Sequence, residues 1–112
     1  MEFCRKDGYC ISVDVDATGK LIFTYYDLGI HNENTLYVSS ANKYEESIII
    51  DRNDKLKLYE VLTQTSLVYS DENLFEAITQ HFYQVSGLEE IKKFLDQKDI
   101  IFKPYTWVEF YD

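Results

Sequence analysis

Asp14-Val15-Asp16-Ala17-Thr18-Gly19 sets oxygen-bearing side chains at the first, third and fifth places of a run whose sixth place is glycine, as an EF-hand calcium loop begins. The twelfth place, which should bring a bidentate glutamate, is Tyr25, and the flanking residues alternate as strands where helices are required. A hairpin turn is the expectation, with no metal bound. His31 and His81 are the only histidines. A two-histidine nuclease centre would use them as acid and base, but it also needs cations to hold phosphate, and few basic residues stand near either one. Cys4 and Cys10 lack the second pair that a structural zinc site needs, and a nucleophilic cysteine requires a base and an electropositive setting, of which Arg5-Lys6 supplies only part. There is no glycine-rich phosphate loop, metalloprotease helix or Gly-x-Ser-x-Gly elbow. These residues predict no catalytic site and no cofactor.

Recognition is the chemistry that remains. The chain has ten tyrosines and one tryptophan, and carboxylates in close pairs at Asp14/Asp16, Glu45-Glu46, Asp71-Glu72 and Glu89-Glu90. Tyrosine and tryptophan anchor interfaces because each buries much area at small rotamer cost, although more than half of these rings are needed to build the core of so small a protein. The partner-binding residues expected from type and position are Asp14, Asp16, Glu45, Glu46, Asp71, Glu72, Trp107 and Tyr111. The last two belong to a tail in which Tyr105, Trp107, Phe110 and Tyr111 crowd together, so the tail should dock on the body or on a partner.

The elements that must position these groups follow from hydrophobic period. Tyr9 to Asp16 alternates, with Ile11, Val13 and Val15 on one face and Ser12, Asp14 and Asp16 on the other. A Gly-containing reversal then leads into Leu21 to Leu28, forming a hairpin. Thr35 to Ser40 and Tyr44 to Ile50 give two more strands, the latter ending in the β-branched run Ile48-Ile49-Ile50. The period then becomes helical: Asp54 to Thr63, a second helix capped by Ser70 or Asp71 with Leu74, Ile78 and Phe82 in one stripe, and a third from Gly87. Ser86-Gly87-Leu88-Glu89 has the form of a capping box. Ile100-Ile101-Phe102 reads as a last strand, with Pro104 limiting its pairing. The expected fold class is α+β: a mainly antiparallel sheet of about five strands with two to three helices packed on one face, in a single domain over residues 1–112. The other face should be partly open and, through Ser12, Asp14 and Asp16, acidic.

A chain of 112 residues buries roughly two-thirds of its unfolded surface, and 46% hydrophobic composition excludes disorder. Twenty acidic against eleven basic residues leave a net charge of -9, which repels nucleic-acid phosphates and anionic lipid and attracts a basic protein. No segment has the roughly 20 apolar residues of a membrane span, Met1 to Asp7 holds no signal-like apolar run, and two thiols suit a reducing compartment, so a cytoplasmic location is expected.

In size, acidity and aromatic content the whole chain resembles the small acidic bacterial immunity proteins of toxin–immunity systems. That resemblance implies a non-catalytic protein that binds a basic nuclease-type toxin domain and blocks its active site. It carries no motif, so it assigns no residue a role. Two other readings remain open on the residues: an acidic decoy or adaptor that occupies nucleic-acid-binding proteins by presenting carboxylates in place of phosphates, and a small enzyme that uses His31 or His81.

Overall fold

In a computed structural model, residues 2–6, 9–27, 41–64 and 69–110 are described, with backbone alone at 4–6, 27, 41–44 and 107–110. Five strands, β1 (Glu2–Lys6), β2 (Tyr9–Val15), β3 (Leu21–Asp27), β4 (Ala41–Ile50) and β5 (Lys103–Phe110), form one sheet in the order β1-β2-β3-β4-β5. All four pairings are antiparallel. Between β4 and β5 the chain runs through α1 (Arg52–Thr63), α2 (Asp71–Phe82) and α3 (Leu88–Gln97). The fold is therefore α+β, as the change of period at Asp51 predicts.

Alternation divides the sheet into two faces. Ile11 and Val13 of β2, Leu21 and Phe23 of β3, and Ile48 and Ile50 of β4 are fully buried and face the helices. The helices answer with Leu58 and Tyr59, with Leu74, Ile78 and Phe82, and with Leu88, Ile91 and Leu95, one apolar stripe each. Phe23 lies at the centre, edge-on to Phe3 and to Phe82 with ring centroids 6.2 Å away in both cases. Each of these rings meets another at the angle its quadrupole favours.

The turn between β2 and β3 shows why the EF-hand likeness fails. The Asp16 carboxylate accepts hydrogen bonds from the Thr18 amide (2.8 Å), the Thr18 hydroxyl (2.7 Å) and the Lys20 amide (3.0 Å), so its lone pairs close the turn. Gly19, at φ +86°, takes the left-handed position such a three-residue loop requires.

Three expectations change, one strand is added, and one expectation falls outside the described residues. The third expected strand, Thr35 to Ser40, lies outside the described residues, whereas Glu2–Lys6 forms an edge strand that alternation does not reveal, because Arg5 and Lys6 follow Cys4 without an apolar rhythm. Helix α3 is held at its start by Glu90, not Glu89: the Ser86 amide and hydroxyl donate to the Glu90 carboxylate at 2.9 and 2.8 Å, reaching four residues on across Gly87. Ile100 to Phe102 is not a strand. Asp99 sits at φ 56°, the Ile100 amide donates to the Leu95 carbonyl at 2.9 Å, and the Ile100 side chain is buried, so this segment is the left-handed C-terminal cap of α3. The strand starts at Lys103 and takes Pro104 at the sheet edge, where a missing amide donor is tolerated. Finally, Asp16 belongs to the turn and not to the open face.

Candidate interaction surfaces

Of the eight expected partner-binding residues, the six whose side chains are described do not assemble into one patch. Asp14 is exposed on the sheet face away from the helices. Glu45 and Glu46, adjacent in β4, point to opposite faces, because successive side chains of a strand must. Glu45 is on the open face, beside Tyr26 in the register. Burial first, and then the charge and hydrogen bond of Glu45 with a contribution from Cys10, hold the Tyr26 hydroxyl above the usual tyrosine range. Glu46 faces the helices, where its carboxylate accepts from Lys92 of α3 at 2.8 Å and ties the sheet to that helix. Desolvation depresses the Lys92 ammonium, but hydrogen bonds to Glu46 and Glu89 and their charges outweigh it, so the net shift is upward. Trp107 pairs with Glu45 in the β4–β5 register, and Tyr111 lies outside the described residues.

Asp71 and Glu72 also part company. The Asp71 carboxylate accepts from the Tyr69 hydroxyl and, at 3.4 Å, from the buried ammonium of Lys55 on α1. Lys55 also lies 5.3 Å from the centre of the Tyr69 ring, which stands edge-on to Tyr59. Desolvation, followed by the hydrogen bond and charge of Asp71, pushes the Tyr69 hydroxyl well above its ordinary range. This cluster joins the first turn of α2 to α1. Glu72, one residue on, is turned to solvent.

The open face is acidic, as expected. Its described side chains run in three rows across the strands: Cys10, Tyr26 and Glu45; Glu2, Ser12, Thr24, Ser47 and Tyr105; Asp14, Ile22, Ile49 and Lys103. Three carboxylates and one ammonium sit among hydroxyls and apolar groups, and among the described residues all three helices lie on the other side.

Carboxylates gather on α2 as well. Between Lys57 and Lys92 the chain has no lysine or arginine but carries Glu60, Asp71, Glu72, Glu76, Glu89 and Glu90. Glu72, Phe75, Glu76, Thr79 and Gln80 line a shallow groove along the outer side of α2, at spacings that place them on one stripe. The one aromatic ring in its lining is the half-buried Phe75. Among the described residues, neither Glu72 nor Glu76 has an ion-pair partner, whereas on α3 Glu89 meets Lys92 at 3.2 Å and Glu90 is held by Ser86. Thr79 adds an oddity: its hydroxyl oxygen is buried with no hydrogen-bond partner. An apolar ring flanked by two carboxylates is an arrangement on which an alkyl stem can pack and an ammonium or guanidinium can pair. The lysine-free run was visible in the sequence. Net charge averages over it, and adjacency in sequence does not say which carboxylates share a surface.

His81, exposed at the end of α2, packs on the rings of Phe82 and Phe94 with centroids 4.7 Å away in both cases. Its intended companion, His31, lies outside the described residues, as does the side chain of Cys4, while Cys10 is a half-buried thiol on β2. Among the described residues no group of His, Cys, Asp and Glu side chains could hold a metal ion, and no helix is long and apolar enough to cross a membrane. No family model, curated protein or solved structure matches the chain.

Proposed function

We propose that this chain is a non-catalytic, cytoplasmic binding protein of the immunity type, which neutralises a basic, nuclease-type toxin domain by docking the outer stripe of α2 on it. The observation that carries this reading is the pair Glu72 and Glu76, one helical turn apart beside Phe75, without an ion-pair partner among the described residues. Like charges at this spacing cost a helix about 0.2–0.5 kcal/mol, a local conflict of the sort proteins retain where they function. A lysine or arginine of the partner would lay its stem along Phe75 and place its charge between the two carboxylates. The net charge of -9 steers a basic domain toward this surface before contact.

The test is capture at low salt with the wild-type chain and with a Glu72→Lys/Glu76→Lys variant as baits, followed by nuclease assays on what is recovered. The reading expects one stoichiometric basic protein, absent from the variant, whose nuclease activity an equimolar amount of wild-type chain abolishes. A captured protein whose activity is untouched sinks the immunity assignment. The acidic decoy draws on the same two carboxylates, presented in place of phosphates. It predicts recovery of several unrelated nucleic-acid-binding proteins.

A further inference from the structure

The α2 groove ends at Gln80, but the outer stripe of the helix does not. Glu72, Glu76 and Tyr83 follow one another at spacings of about one and two helical turns, so the three lie one above another on the same side of α2. Tyr83 closes the helix with right-handed helical backbone angles (φ -63°, ψ -17°), which carries the stripe on through it, and the residue is 56% exposed. Leu74, Ile78 and Phe82 fill the opposite, buried side, so the packing of α2 on the core makes no use of the ring at position 83. From Glu72 to Tyr83 the stripe runs about 16 Å along the axis. Its two ends differ: carboxylates toward the N-terminus and an aromatic ring at the C-terminus.

A straight stripe one helix wide is what an amphipathic helix of a partner covers. Charge sets the direction of that helix. Carboxylates are favoured near a helix N-terminus, where Glu72 lies, and cations near a helix C-terminus, so a helix antiparallel to α2 brings its favoured cationic end beside Glu72 and Glu76. We infer that the element of the basic partner seated on α2 is a helix antiparallel to it, with two cationic side chains one turn apart toward its C-terminus and, two turns earlier, an apolar side chain that packs on Tyr83. This inference rests on α2 being the docking surface. The two ends then do different work. Charge acts at range, so Glu72 and Glu76 govern encounter, whereas a tyrosine that loses its water only in the complex governs how long the complex lasts.

The probe is a synthetic amphipathic helical peptide with two arginines one turn apart in its C-terminal half and a leucine two turns before them. It is titrated at low salt into the isotopically labelled chain, alongside the same peptide with serine in place of leucine, and the amide spectra both locate binding and show whether each variant is folded. The wild type should shift saturably at Glu72, Glu76, Thr79, Gln80 and Tyr83. Tyr83→Ala should bind the leucine peptide about fivefold or more weakly and the serine peptide no worse than the wild type does. A spin label at the peptide's N-terminus should broaden Tyr83 and spare Glu72. Binding at Glu72 and Glu76 that ignores Tyr83→Ala overturns the inference, as does a serine peptide that binds like the leucine one, a spin label that broadens Glu72 instead, or a peptide that does not bind α2. The α2 docking surface itself falls only if the Glu72→Lys/Glu76→Lys chain still captures the basic protein.

Discussion

The Asp71 carboxylate has two donors that come from different helical neighbours, Tyr69 just before α2 and Lys55 on α1, 16 residues away. Removing it strands a buried ammonium and a half-buried phenol together. Asp71→Ala should cost about 1–2 kcal/mol, read from denaturant midpoints, the lower part of the range for a buried pair because the carboxylate itself is nearly half exposed. Tyr69 gives a pH signature of the same cluster. Its hydroxyl is held above the ordinary value of 10.0, so the folded state keeps a proton that the unfolded state releases. Its contribution is complete below about pH 10 and fades as pH rises further. Tyr69→Phe should flatten the alkaline fall in stability, followed by thermal melts across that range. Asp16 works the other way: hydrogen bonds from Thr18 and then Lys20 lower its pKa below 3.8, so the turn it closes weakens only as pH falls through and below the usual carboxylate range. Thr79→Val replaces an orphan hydroxyl with a methyl group and should leave stability unchanged or slightly raised, read from denaturant midpoints. At this scale residue types were legible in the sequence and partners were not. Nothing local in Glu46 reveals that its cation is Lys92, 46 residues on.

The elements were legible where periodicity and capping agree. Ser70, whose hydroxyl accepts from the Asn73 amide at 3.0 Å, begins α2 as its position before the apolar stripe implies, and Ser70→Ala should lower stability by about 1 kcal/mol in urea titrations. They were not legible where tertiary contact decides. β1 shows no alternation because one of its faces must pack Phe3 on Phe23 while its outer edge stays charged. Ile100 looks like a strand residue because it is β-branched, but it serves as the buried apolar partner that accompanies a left-handed helix cap. Asp99 occupies the left-handed position of that cap, so Asp99→Gly should raise the thermal midpoint, by the equivalent of about 0.5–1 kcal/mol. Alternation within β4 is also why the pair Glu45-Glu46 cannot act as a pair.

For the whole molecule, the change of period at Asp51 was enough to predict an antiparallel sheet with helices on one face, and the structure bears this out. The open face is acidic as that reading expects, through Glu2, Asp14 and Glu45 against Lys103, although Asp16 is not part of it. Net charge of -9 is a property of the chain, but its distribution depends on which face each carboxylate reaches: α2 carries Asp71, Glu72 and Glu76 with no lysine or arginine, and His81 in its last turn. A charged surface declares itself in kinetics, because steering alters the encounter rate and is screened by salt, whereas short-range packing governs dissociation. The most direct measurement is therefore the association rate of the captured basic protein with wild-type and Glu72→Lys/Glu76→Lys chains as ionic strength rises. A wild-type rate that falls steeply with salt, and a variant rate that starts about tenfold or more lower and falls less, is the predicted result. Equal rates and equal salt dependence for the two chains would contradict the assignment of the binding surface to α2.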